Sequence, residues 1–129
     1  MNKIVIASDS FKGSLSSTEV AEAVAAGIRK TYPSCKIICL GMGDGGEGTC
    51  EAIARTRSCE WVNIKVNDPL GRTCSAKYAI YENEDGPSAI IEMAQASGLT
   101  LLSTDELNPL QTSTFGTGQM IMDAFGRGC

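Results

Sequence analysis

The sequence predicts an α/β protein that opens on a parallel sheet, and three observations carry that prediction. "KIVIAS", residues 3 to 8, and "KIICL", residues 36 to 40, are short, β-branched and almost continuously apolar. That is the pattern of strands covered on both faces. Between them, Ser16 to Glu19 reads S-x-x-E, a capping box ahead of an apolar repeat at three and four residues. Further on, "WVNIKV" (61 to 66) and "TCSAKYAIY" (73 to 81) alternate with period two, which adds an antiparallel or mixed-sheet segment. The start therefore reads β-α-β-α, Rossmann- or flavodoxin-like. Its right-handed crossover makes the strands parallel and packs the helices on the sheet.

Each element has its own signals. Leu15 and Val20 stand where a hydrophobic staple flanks the capping box. Val20, Ala23, Val24, Gly27 and Ile28 supply the apolar face of the first helix, and Pro33 stops it. The glycine-rich stretch "GMGDGGEGT" (41 to 49) follows the second strand and leads into "TCEAIART", a second helix. "NDPLGR" turns the hairpin, "ENEDGPS" makes another turn, and "AIIEMA" (89 to 94) reads as a further strand. A Ser, Thr, Asn and Pro-rich connection then reaches "TSTFGTGQMIMDAF". There Thr112 to Thr114 can cap a helix whose first turn holds Gly116, Thr117 and Gly118. Met120 and Met122 are expected in the core, and Phe11 and Trp61 as packing residues. Three portions result: 1–57, parallel α/β with both candidate substrate loops; 58–100, hairpin and mixed sheet; 101–129, connection and helix. A helix closing on Gly126 and Gly128 with no strand after it suggests a chain truncated after 129.

Composition removes several function classes. At 129 residues and 43% hydrophobic content the chain can bury one ordinary core. A net charge of -4 and no run of Lys and Arg argue against nucleic acid as a partner. The amino-terminal apolar run is too short for a signal-peptide core or a membrane span, so the expected location is the cytoplasm, with no membrane partner. Six scattered cysteines without a Cys-x-x-Cys are read as reduced thiols, mostly buried as small hydrophobes. The chain has no histidine, which excludes Ser-His-Asp and Cys-His catalysis and histidine-bearing zinc sites. The sequence is compatible with a homo-oligomer.

Three segments can carry chemistry. Gly41, Gly43 and Gly46 spell G-x-G-x-x-G between a strand and a helix, the context of a dinucleotide fingerprint. Asp44 and Glu47, however, would put negative charge where the pyrophosphate lies, and two like charges about 4 Å apart cost about 4 kcal/mol at an effective dielectric of 20. Such a loop suits a hydroxylated substrate accepted by a carboxylate, or a phosphate bridged through Mg²⁺. The plain alternative is that the two carboxylates offset the dipole of the following helix while the glycines turn the chain. In "SDSFKGS" (8 to 14), Asp9, Ser10, Lys12, Gly13 and Ser14 follow the first strand directly. Lys12 there is either a phosphate clamp or a solvated lysine, in a loop that is not a Walker A sequence. "TSTFGTG" (112 to 118) offers hydroxyls and glycine amides to an anion, or simply a helix cap. Glu92, at the end of a strand, is either a third carboxylate or a surface or ion-paired residue.

Together these segments say more than any one alone. In order and spacing, "IASDSFKGSLSSTEVAEAVAAGI", "GMGDGGEGT", "IIEMAQASGL" and "NPLQTSTFGTG" resemble the amino-terminal third of the bacterial glycerate kinases. These are the family members that begin with an Asp-Ser-Phe-Lys-Gly loop and continue to an Asp-Gly-Gly-Glu-Gly-Thr loop. The resemblance covers essentially the whole chain. It implies phosphorylation of D-glycerate to phosphoglycerate with ATP and Mg²⁺, on a two-part α/β fold of which this chain holds an incomplete share. The family's pattern has proline and alanine where this chain has Gly41 and Gly43, so the G-x-G-x-x-G is read as accidental. Gln119 departs as well, where the family usually has an acidic residue, and Ser8 stands for the usual proline.

On this resemblance the expected catalytic residues are Asp44, Lys12 and Asp9. Lys12 would neutralise phosphate or the glycerate carboxylate. Asp44 and Asp9 would orient or deprotonate the attacking hydroxyl, or one of them would hold Mg²⁺. Ser10, Gly45, Gly46, Glu47, Thr49, Thr117 and Gly118 are the expected substrate contacts. The alternative from another class is a non-catalytic fragment that binds a small acid or nucleotide without turnover. A third is an inert fold fragment whose open sheet edge drives association.

Overall fold

A computed structural model describes residues 2–11 and 13–129. The chain forms two compact units, Met1–Ala52 and Ile53–Cys129. Among the described residues no helix is long and apolar enough to cross a membrane.

In the first unit β1 (Lys3–Ser8) and β2 (Lys36–Gly41) pair in parallel, in register from Lys3↔Lys36 to Ser8↔Gly41. Helix α1 (Ser17–Thr31) connects them, and α2 (Thr49–Ala54) follows the glycine-rich loop. The capping box forms as the sequence predicts. Ser16 Oγ accepts from the Glu19 N–H at 3.3 Å, and Glu19 Oε2 accepts from the Ser16 N–H at 2.8 Å. The Ser16 hydroxyl and N–H both hold the Glu19 carboxyl below its ordinary value. The helix ends at Thr31, two residues before Pro33, where the Tyr32 N–H donates to the Ile28 carbonyl at 2.8 Å.

The buried face of α1 is Val20, Ala21 and Ala25, with Ile28 packed beside them, rather than the predicted Val20, Ala23, Val24, Gly27 and Ile28. Val24 is exposed. In a run of alanines and valines two helical stripes overlap, and the one bearing Ala21 and Ala25 lets the helix approach the sheet more closely. The prediction of strands covered on both faces fails as well. In β1 the described burial peaks at Ile6 while Val5 and Ala7 are exposed, because α1 packs on one face only.

The second unit is a three-stranded antiparallel sheet of β3 (Glu60–Asn67), β4 (Thr73–Asn83) and β5 (Gly86–Ile90), in that order. The predicted hairpin is there. The third strand starts earlier than predicted, because Asn83 pairs with Gly86 across a two-residue turn that the Gly86 φ of 113° makes feasible. Pro87 is tolerated since β5 is an edge strand. After Ile90 the chain leaves the sheet for α3 (Ala94–Ser97), and α4 (Phe115–Gly126) closes the chain. Val62, Val66, Ala76, Tyr78, Ala96, Met120 and Ala124 form the core. Met120 is fully buried as predicted, whereas Met122 is 66% exposed, two positions round the helix. Trp61 lies on the outer face, with Lys77 Nζ 4.7 Å from its ring centroid. None of the six cysteines is in a disulfide. Cys35 and Cys50 are buried, Cys39 is exposed and the other three are intermediate.

Two polar clusters organise this unit. Asp68 Oδ1 accepts from the Leu70 and Arg72 N–H groups at 2.9 Å each, and Asp68 Oδ2 pairs with Arg72 Nε at 2.5 Å. Burial alone would raise the Asp68 carboxyl, but the Arg72 guanidinium and these amides together hold it below its ordinary value. Arg72 also donates to Glu106 Oε1 at 2.7 Å and to the Leu101 carbonyl at 3.2 Å, which orders the connection that the sequence left without structure.

In the second cluster the fully buried Tyr78 donates its hydroxyl to Asp123 Oδ2 at 2.6 Å, and Arg127 Nε donates to the same oxygen at 2.8 Å. Burial first, then the Asp123 hydrogen bond and charge, push the Tyr78 hydroxyl up to about 12 from an ordinary 10.0. Above the ordinary value the unfolded tyrosine ionises while the folded one keeps its proton, so stability falls as pH rises through that window. Denaturant titrations on either side of the window are therefore expected to show a steeper alkaline loss for the wild type than for Tyr78→Phe. Equal slopes would refute the assignment.

Candidate functional site

The end of the parallel ladder sets the geometry of the candidate site. Ser8 and Gly41 are its last pair, and the Met42 N–H donates back to the Ser8 carbonyl at 3.0 Å. The loop bearing Asp9 and Ser10 and the loop bearing Asp44 to Thr49 therefore start from neighbouring strand ends, where parallel α/β sheets bind their ligands.

The first loop is tightly turned. The Phe11 N–H donates to the Leu15 carbonyl at 2.9 Å, and the Ser14 and Leu15 N–H groups donate to the Phe11 carbonyl at 2.8 and 3.1 Å. Gly13, at φ 75°, supplies the left-handed step. Asp9 Oδ1 accepts from the Ser10 N–H at 2.7 Å, which fixes its carboxylate beside the strand end. Phe11, expected to pack, is 62% exposed, because the turn carries it away from the α1–sheet core. Lys12 lies outside the described residues.

The second loop holds itself by side-chain to backbone bonds. Asp44 Oδ1 accepts from the Gly46 N–H at 2.9 Å, and Thr49 Oγ1 accepts from the Gly45 N–H at 3.0 Å. Asp44 thus shapes the loop through Gly46. Asp9, Asp44 and Glu47 are exposed, while Ser10, Gly46 and Thr49 are half-buried. Gly43 has a packing reason of its own: a Cβ there would overlap the Thr49 side chain and come within 2.6 Å of its Cα. Here the apparent fingerprint glycine serves close packing of the loop on the start of α2.

Thr117 and Gly118 belong to the second unit, in the first turn of α4. The Thr117 hydroxyl lies 2.7 Å from the Ser97 hydroxyl, and the Gly118 N–H donates to the Thr114 carbonyl at 3.3 Å. The cap is Ser113, whose Oγ accepts from the Phe115 N–H at 3.1 Å; Thr114 makes no side-chain cap. Gln119 Oε1 accepts from the Asn67 N–H at 2.7 Å and so ties α4 to the end of β3. A glutamate there would keep that acceptor. Glu92, expected at a strand end, sits in the segment between β5 and α3 and is 2% exposed, so it is not a surface residue. The Gln95 amide reaches its Oε2 at 3.5 Å. The Asp68–Arg72–Glu106 cluster has only a faint signal in the sequence, an aspartate four residues before an arginine across a Pro-Gly turn.

A family model described as the glycerate kinase family matches residues 4–129. A glycerate kinase of Halalkalibacterium halodurans is 45% identical over 128 residues, covering 99% of this chain and 33% of that protein. A protein named glycerate 2-kinase from Escherichia coli K12 is 45% identical over 127 residues, covering 98% and 32%. A crystal structure described as that of a glycerate kinase 2 from Salmonella typhimurium LT2 superposes with a TM-score of 0.67 at 42% identity, covering 98% of this chain and 33% of that one. The chain thus spans about a third of the length of the relatives it matches.

Proposed function

The chain belongs to the glycerate kinase family, and from that premise we propose that it supplies the amino-terminal third of an enzyme that phosphorylates D-glycerate with ATP. The products are a phosphoglycerate and ADP. The observation that carries this reading is the common exit of the Asp9 and Asp44 loops from one end of the parallel ladder. The name of the Escherichia coli relative favours the 2-hydroxyl as the acceptor.

Phosphoryl transfer needs positioning and charge neutralisation more than covalent help from the protein. In this reading Lys12 neutralises phosphate or the glycerate carboxylate. Asp44 and Asp9 orient the attacking hydroxyl, and one of them accepts its proton. As the glycerate oxygen bonds to the γ-phosphorus, the bond from that phosphorus to the departing ADP oxygen breaks. Ser10, Glu47 and Thr49 contact substrate, and the Gly45 and Gly46 backbone admits it closely. Thr117 and Gly118, in the second unit, are proposed as contacts, Thr117 through its hydroxyl and Gly118, whose N–H already goes to the Thr114 carbonyl, through close backbone approach.

Mg²⁺ fits this donor set. Asp9 and Asp44 each use Oδ1 for a backbone N–H in the bonds described above, which leaves Oδ2 for a metal. One or two carboxylates with waters is how phosphate-bound Mg²⁺ is usually held. Among the described residues no group of three or more His, Cys, Asp or Glu is close enough to hold a metal by itself. When bound, the ion neutralises charge on the phosphate oxygens; Asp44 or Asp9 would hold it.

The one-third span favours a second reading for the isolated chain, namely binding of glycerate or Mg-ATP without turnover. An amide NMR titration of the 129-residue chain with D-glycerate and, separately, with Mg-ATP tests the site. Shifts confined to the Asp9–Ser10 and Asp44–Thr49 segments with either ligand are expected. A dispersed spectrum that responds to neither would overturn the placement of a ligand at these loops.

A further inference from the structure

Two half-buried hydroxyls meet inside the second unit. Ser97, the last residue of α3, and Thr117, in the first turn of α4, stand 2.7 Å apart at their Oγ atoms. Serine and threonine in a helix commonly turn the hydroxyl back onto a carbonyl three or four residues earlier. Neither does so here, and among the described residues each hydroxyl has the other as its partner. The backbones that carry the pair are pinned independently of it. The Ser97 N–H donates to the Met93 carbonyl at 2.8 Å, and the fully buried Ala96 seats α3 in the core. Gly98 follows at once, where a Cβ would overlap the Ala94 carbonyl oxygen. On the other side Gln119 ties the first turn of α4 to the Asn67 N–H, and Met120 is buried. Packing therefore sets the meeting of the two hydroxyls, and removal of one leaves the other in place without its partner.

A hydroxyl carries one proton and two acceptor positions. The pair spends one of its two protons internally and keeps the other. An anionic oxygen can only accept, so a Thr117 hydroxyl that meets one turns its own proton outward, and Ser97 supplies the internal one. We propose that Ser97 is a positioning residue for the substrate site. It donates to Thr117 Oγ1, holds the Thr117 side chain in one rotamer, and aims the Thr117 O–H at an anionic oxygen, a carboxylate oxygen of D-glycerate or a phosphate oxygen of ATP. Donation into Thr117 Oγ1 also polarises that O–H and makes it a better donor. The proposal rests on the reading of Thr117 as a substrate contact and adds to it the residue through which the contact is oriented.

Steady-state kinetics of a full-length enzyme carrying this sequence, with Ser97→Ala, Thr117→Val and the double variant, test the proposal. Thr117→Val keeps the shape and removes the hydroxyl, and it should raise KM for one substrate about tenfold or more, as loss of a hydrogen bond to a charged group does. Ser97→Ala should raise the same KM about three- to tenfold with kcat nearly unchanged, the mark of lost uniform binding. Whether KM moves for D-glycerate or for Mg-ATP identifies the oxygen. The double variant should be no worse than Thr117→Val, within about twofold, because Ser97 acts only through Thr117. Scalar couplings to the Thr117 methyl give a second readout: one χ1 rotamer in the parent, and averaging between two in Ser97→Ala. Penalties that multiply in the double variant, an unchanged KM for Ser97→Ala, or a single Thr117 rotamer retained in that variant would each overturn the proposal. An unchanged KM for Thr117→Val removes Thr117 as a contact and the proposal with it. Failure of the kinase reading looks different, since the unsubstituted enzyme would then form no ADP in response to D-glycerate, and the proposal would fall with that reading.

Discussion

Alanine in place of Asp44 or Lys12 is expected to lower the turnover of a full-length enzyme carrying this sequence at least about tenfold, and by as much as about 10⁴ where the lost group is the proposed general base. Asp44→Asn and Asp9→Asn are the more informative pair. Asparagine keeps an acceptor in the Oδ1 position, so the bonds to the Gly46 and Ser10 N–H groups survive and the loops keep their shape. What changes is basicity and charge. Whichever aspartate takes the hydroxyl proton, its asparagine variant is expected to lose kcat at every Mg²⁺ concentration. The variant of a metal-holding aspartate is expected to recover rate at raised Mg²⁺. Both carboxylates are exposed, so thermal melting of these variants should match the parent. Near-parental kcat for Asp44→Ala and Lys12→Ala together would sink the assignment.

The second large effect concerns stability. In the first turn of α4, a Cβ at Gly116 would overlap the Asn67 carbonyl oxygen and stand 3.1 Å from Ala96 Cβ. Helix α4 cannot retreat without withdrawing Met120 and Ala124 from the core. Gly116→Ala is therefore expected to cost about 1–3 kcal/mol, the usual range for overpacking, seen as a fall in Tm of about 4–8 °C per kcal/mol for a unit of this size. Gly118→Ala, two residues on, should do the reverse. Nothing lies within 4 Å of its added Cβ, and alanine favours a helix over glycine by up to about 1 kcal/mol. Calorimetry on the two variants decides the matter, and an unchanged Tm for Gly116→Ala would show that the contact yields. Gly118→Ala has a further use: a stable variant with weakened ligand binding would support Gly118 as a substrate contact.

The amino-acid sequence by itself determined the local structure whose causes are local. The Ser16–Glu19 box needs only two side chains and the adjoining backbone. Alternation at Val62, Ile64 and Val66 sets the inner face of β3, and the Asp-Pro-Leu-Gly turn sets the hairpin. The loop motifs, in their order along the chain, indicate the glycerate kinase family, whose model matches residues 4–129. Tertiary structure decided what depends on partners remote in the chain. The stripe of α1 that is buried follows from how closely Ala21 and Ala25 let it approach the sheet, and two overlapping apolar stripes cannot be separated by periodicity alone. Met122 is solvent-facing because the α4 contacts settle on Met120 and Ala124. Gly116 and Gln119 look like parts of a helix start or a substrate site, yet both meet Asn67, about fifty residues earlier in the chain. Arg72 reaches Leu101 and Glu106 in the same way. A sequence records periods and neighbours within a few residues; which distant backbone atom a side chain meets is fixed only when the sheet and helices pack.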